Sequence, residues 1–119
     1  METPKIFESE YKFCEILWEH EPVSSSELVR LCSEKLAWKK STTYTVIRRL
    51  AERGVLRSKD AIVTSLVSKE EVLSAESAQV VERTFAGSLP DFIAAFTRKK
   101  KLSKQEIDEI QRMIDSIKE

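Results

Sequence analysis

The residue pattern predicts a mainly α chain that carries one small β-hairpin. Three observations predict it. Helix-start signatures recur along the chain, a β-rich run with a polar turn breaks the helical period after Gly54, and isoleucines repeat at steps of three and four near the end.

The first helix is expected over residues 8–20, where Phe7, Tyr11, Cys14, Leu17 and Trp18 recur at the spacing of one buried stripe. Pro22 ends it, because the ring lacks an N–H and clashes with the preceding turn. Ser24, Ser68 and Ser103 are each followed at the third position by Glu27, Glu71 and Glu106. That is the capping-box pattern, in which hydroxyl and carboxylate satisfy donors left free by a first helical turn. Val23 with Leu28, Val67 with Val72 and Leu102 with Ile107 supply the accompanying hydrophobic staples.

A third helix begins at Ser41 and stops at Gly54, a residue suited to a left-handed helix end. At about 100° per residue, Thr43, Val46, Ile47, Leu50 and Ala51 fall on one side. Ser41, Thr45, Arg48, Arg49 and Glu52 fall on the other, with Thr42 and Tyr44 at the edges. Beyond Gly54, residues 55–57 and 61–67 read as two strands around a polar turn at 58–60. A lone two-stranded ribbon is unstable in water, so it must lean on the helices before it. Three helices followed by such a ribbon make a winged helix-turn-helix domain, expected over residues 1–67.

Residues 68–119 are expected to form a helical dimerisation region. One helix ends at Gly87, a second starts at Pro90, and a third starts at Ser103. Their apolar residues Phe85, Leu89, Phe92, Ile93, Phe96, Ile107, Ile110, Ile114 and Ile117 exceed what one amphipathic tail can bury, so a second copy of the chain is the expected partner.

Composition bounds the function. The chain has 119 residues, 41% hydrophobic and 34% charged, which suits one small domain with an appendage. No apolar run approaches the ~20 residues that cross a bilayer, and the N-terminal residues lack an export signal, so a cytoplasmic protein without membrane insertion is expected. Cys14 and Cys32 stand apart, as in a protein of a reducing compartment. One His, no Gly-rich phosphate loop and no nucleophile elbow argue against an enzyme, and no ligand spacing calls for a metal or another cofactor.

The formal net charge is zero, yet the charges are segregated. Residues 38–59 carry seven Lys and Arg against Glu52 alone, while residues 1–37 carry four against eight acids. A cationic block on one helix suits a polyanion. The expected partner is double-stranded DNA. An α-helix fits the major groove, with its N-terminal part at the base edges. Ser41, Thr42, Tyr44 and Thr45 would approach bases or phosphates, Arg48 and Arg49 would offer forked donors, and Lys39 and Lys40 would meet phosphate. Arg57 and Lys59 belong to the wing, beside the adjacent backbone or minor groove. A docking module for another protein, or a regulator gated by a small ligand, is the alternative on the same fold; a docking face would more often expose apolar residues on this helix.

The residues carry a family resemblance. Glu10-Tyr11-Lys12-Phe13-Cys14-Glu15-Ile16-Leu17-Trp18 and the block from Trp38 through Ser41-Thr42-Thr43-Tyr44-Thr45 to Arg49-Leu50 and Gly54 resemble the penicillinase-repressor family (BlaI/MecI/CopY). Phe85-Ala86-Gly87-Ser88-Leu89 and Leu102-Ser103 with Glu106-Ile107 and Ile110 resemble its C-terminal part. The resemblance implies a homodimeric repressor on a palindromic operator, of the kind that controls β-lactam resistance genes. It also implies induction through a membrane sensor or protease, with cleavage at an Asn–Phe bond. The matching bond here is Ala95–Phe96, with Ala in place of Asn. The Cys-x-Cys tail of the copper-responsive branch is absent, and the wing is shorter than the Gly- and Arg-tipped hairpin usual in relatives.

Overall fold

The computed structural model describes residues 2–118. The element order is α1 (Glu8–His20), β1 (Val23–Ser24), α2 (Ser25–Leu36), α3 (Lys40–Glu52), β2 (Leu56–Lys59), β3 (Ile62–Ser65), α4 (Lys69–Phe85), α5 (Leu89–Lys99) and α6 (Lys104–Ile117). The chain divides into two compact units, one up to Glu76 and one from Ser77, with the division inside α4.

In the first unit, α1, α2 and α3 pack around Phe13, Leu17, Leu28 and Leu50, with Leu56 and Val63 closing the core from the sheet. The sheet has three antiparallel strands in the order β1-β3-β2. The short strand β1 was not expected from sequence. Its two residues pair Val23 with Val63 and Ser24 with Ile62, which relieves the outer edge of the ribbon. The wing turn is also tighter than expected. Lys59 pairs with Ile62, so Asp60 and Ala61 alone make the turn, and Ser58 and Lys59 belong to β2. Both turn residues have positive φ, 53° and 64°, as a two-residue type I′ hairpin requires.

Local chemistry explains the helix ends. The Ser24 hydroxyl accepts from the Glu27 N–H at 3.1 Å, but the Glu27 carboxylate turns to Arg30 instead of completing the box. Ser68 with Glu71 and Ser103 with Glu106 form reciprocal bonds of 2.9–3.0 Å. Two caps lay outside the sequence expectation: Ser88 accepts from the Asp91 N–H at 3.1 Å to start α5, and Glu10 folds back onto the Phe7 N–H at 3.0 Å to start α1. Gly54, at φ 80°, ends the α3 segment as expected, whereas α4 stops through Ala86 and Gly87, with the Gly87 N–H reaching the Val81 carbonyl at 3.0 Å.

The buried face of α1 is rotated from the expected stripe. Phe13, Cys14, Ile16 and Leu17 are buried together with Glu10, while Phe7 is exposed and Tyr11 and Trp18 cover the core from its margin. Glu10 shares that buried face because its carboxylate is ion-paired with Arg53. Trp18 donates to the Val67 carbonyl at 2.9 Å, and Glu21 accepts from the Ser65 N–H at 2.6 Å. Those two bonds tie the end of α1 to the wing and its exit.

In the second unit, α5 and α6 carry no buried residue. Phe85 meets Phe92 edge-on at 5.5 Å, and Phe92 stacks near Phe96 at 6.2 Å.

Candidate nucleic-acid interface

Helix α3 is held by Thr43, Val46, Ile47 and Leu50, all buried. The periodicity of those four residues decides which side chains face water. Ser41, Thr42, Tyr44, Arg48 and Arg49 are exposed and Thr45 is half-buried, so every hydroxyl and guanidinium proposed from sequence lies on the outer face or its margin. Ala51, placed on the packing side by the helical wheel, is exposed, although its neighbour Leu50 is fully buried. The Thr43 hydroxyl is buried beside the Cys32 thiol, whose pKa burial pushes up, Thr43 acting weakly the other way.

Lys39 and Lys40 stand exposed at the N-terminus of α3. This helix start has no side-chain cap and no acid in its first turn, so its free N–H groups add positive potential to the two lysines. Arg57 and Lys59 are exposed on β2.

The electrostatic contrast is the informative feature. Among the described residues, Lys39, Lys40, Arg48, Arg49, Arg57 and Lys59 have no ion-pair partner. Arg30 is held by Glu27 and Glu34, and Arg53 by Glu10. Arg53 therefore leaves the cationic block that the sequence suggested and serves the fold. The remaining cations, with hydroxyls between them, are free to meet an external anion.

The dimerisation candidates all lie in the second unit or at its entrance. Phe85 ends α4, Leu89, Phe92, Ile93 and Phe96 lie on α5, and Ile107, Ile110, Ile114 and Ile117 lie on α6. Phe85 and Phe92 are half-buried and the other seven are exposed, Ile117 at 82%. Met113, 63% exposed, joins the same helix and was missed, although its three-residue step from Ile110 marked it. Ala95 and Phe96 sit inside α5, with Ala95 half-buried and Phe96 exposed. Among the described residues no cluster of three or more His, Cys, Asp or Glu is placed to hold a metal ion, and no helix is long and apolar enough to cross a membrane.

A family model described as the penicillinase repressor matches residues 6–116. The penicillinase repressor of Bacillus licheniformis is 22% identical over 97% of this chain and 93% of its own length. The methicillin resistance regulatory protein MecI of Staphylococcus aureus is 25% identical over 95% of both chains. Among solved structures, the monomeric form of Bacillus licheniformis BlaI in complex with the blaP half-operator superposes with a TM-score of 0.52 at 21% identity, covering 60% of this chain and 93% of that one. That likeness shows the winged-helix fold. With the family model spanning nearly its whole length, the chain belongs to the penicillinase repressor family.

Proposed function

We propose that this chain is a transcriptional repressor that occupies a palindromic operator as a homodimer and blocks the promoter by occlusion. The observation that carries the reading is the outer face of α3, where Arg48, Arg49 and four hydroxyl side chains stand clear of any intramolecular ion pair beside an uncapped, lysine-flanked helix start. A helix so equipped enters the major groove, where arginine forks match guanine and hydroxyls adapt to either base or phosphate. Arg57 and Lys59 extend the contact along the backbone.

In this reading residues 1–67 read the DNA and residues 68–119 supply the second copy. The apolar faces of α5 and α6 support the latter, since a soluble monomer rarely exposes so continuous a patch. A regulator of β-lactam resistance genes is the class of target that the relatives' names support. Release by a protease or membrane sensor system, acting at Ala95–Phe96, belongs to the same reading; the bond lies within α5, so a cut there requires that helix to open. The purified protein, mixed with sheared DNA from its own genome, should enrich a small set of palindromic sites upstream of genes. Retention without sequence enrichment, or no retention, overturns the proposal.

A further inference from the structure

A second cationic surface lies far along the sequence from α3. Between Asp91 and Glu106 the chain carries Arg98, Lys99, Lys100, Lys101 and Lys104 and not one acid. Arg98 and Lys99 close the last turn of α5, Lys100 caps it, Lys101 follows in the connecting turn, and all are exposed. Among the described residues only Lys104 is paired, with Asp108 at 3.0 Å.

Cations at a helix C-terminus complement the helix dipole, which accounts for Arg98 and Lys99. It does not account for Lys100 and Lys101, which lie past the helix. Of the acids of this unit, Glu82 lies on α4, Asp91 starts α5, and Glu109 and Asp115 lie further along α6. Glu106 lies within electrostatic reach of Lys100 and Asp108 holds Lys104, so among the described residues Arg98, Lys99 and Lys101 are the cations with no acid beside them. The unit is polarised along its sequence, with its positive end gathered into one turn.

We propose that the α5–α6 turn is a second DNA-contacting surface, which binds duplex phosphates without reading sequence. The composition of the turn selects this partner. Lysines are flexible point charges that suit phosphate and carry no base geometry. A membrane-surface site would interleave basic residues with aromatic anchors, and the five positions hold none between them. A duplex offers a charge about every 1.7 Å of its axis, so four consecutive cations outside any ion pair, Arg98 to Lys101, suit its closely spaced phosphates. This inference rests on the operator-binding reading, extending it from α3 to a separate part of the chain.

The test compares the full-length parent with the quadruple variant Arg98→Gln, Lys99→Gln, Lys100→Gln, Lys101→Gln. Binding to a random-sequence duplex and to the enriched operator is titrated over about 50–200 mM salt, with light scattering confirming an unchanged oligomeric state. The expected result is at least a tenfold loss on both duplexes and a shallower salt slope, with base preference retained. Unchanged affinity and slope, while the parent binds DNA normally, overturns the proposal. So does a variant that binds DNA like the parent but no longer binds anionic phospholipid vesicles or polyglutamate. A parent that binds neither duplex defeats the operator reading itself, a result distinct from either.

Discussion

The carboxylate of Glu10, buried near the start of α1, is ion-paired with the guanidinium of Arg53 at the end of α3 and also accepts the Phe7 N–H at 3.0 Å. The Arg53 guanidinium lies over the Phe7 ring, 5.1 Å from its centroid. One acid thus starts a helix and ties it to the far end of another.

Removing one partner leaves the other poorly solvated. Arg53→Met strands the Glu10 carboxylate with the Phe7 N–H alone. Breaking a fully buried pair costs ~3–5 kcal/mol; Arg53 retains partial exposure, so a loss of roughly 2 kcal/mol is expected in urea unfolding. Under conditions where it remains folded, the variant should bind operator as the parent does. A stable Arg53→Met that loses DNA binding would place Arg53 in the interface.

On the outer face of α3, Arg49→Ala and Thr45→Ala should each weaken operator binding without lowering thermal stability. A base-edge contact is worth ~1–3 kcal/mol, and its removal should relax preference at one base position. Lys40→Ala takes away a cation that meets phosphate, so it should weaken binding to all duplexes about equally. Gel-shift titration of all three variants at fixed salt checks the assignment. If Arg49→Ala and Thr45→Ala both bind as the parent does, α3 is not in the groove.

The wing turn holds Ala61 at φ 64° and Asp60 at φ 53°. An L-residue with a Cβ pays roughly 1 kcal/mol in the left-handed region, and Asp relieves part of that through its side chain. Ala61→Gly should therefore raise thermal stability, by about 1 kcal/mol less the added freedom of the unfolded glycine. A calorimetric scan in which Ala61→Gly melts lower would mean that the Ala61 methyl packs against something the hairpin needs.

What the sequence disclosed and what it hid follow one rule. Features written within a few residues were legible: the Ser68 and Ser103 caps, Gly54, and the buried Thr43, Val46, Ile47 and Leu50 of α3. Features that depend on distant partners were not. Glu10 reads as a surface acid until Arg53, 43 positions on, gives it a buried partner, and the face of α1 that includes it leaves Phe7 toward water. Strand β1 is two residues long and is defined by β3 alone. The cations of the proposed DNA face were legible as a charge block, but their freedom from ion pairs was not, since pairing is decided in space.

Burial pushes the Cys14 thiol up to about 12, with the Glu10 carboxylate adding to the effect and Arg53 opposing it. The sign follows from proton counting. Between pH ~9, where a free thiol titrates, and pH ~12 the unfolded chain has released a proton that the folded chain keeps. Stability is therefore full below that window and falls as pH rises through it, by up to roughly 1.4 kcal/mol per pH unit from this group. Urea midpoints of the parent should drop more steeply between pH 9 and 10.5 than those of Cys14→Ala. Equal slopes would mean the thiol ionises in the folded protein, and a thiol reagent would then label it without denaturant.

The apolar face of α6 has a sharper test than its exposure alone. Ile107, Ile110, Ile114 and Ile117 recur at steps of three and four, so they form one continuous stripe. On an isolated monomer, Asp at Ile110 or Ile114 would replace an exposed apolar group by an exposed acid, at little cost. In a seam between two copies, the same carboxylate is desolvated twice over, once in each subunit, and has no partner. Ile110→Asp and Ile114→Asp should therefore yield monomers by light scattering while the helical signal persists. Operator affinity should then fall by orders of magnitude, because the two half-sites are then bound by independent winged helices instead of by one joined pair. Dimers in both variants would place the interface on the Phe85, Leu89, Phe92, Ile93 and Phe96 surface, where Phe92→Asp repeats the experiment.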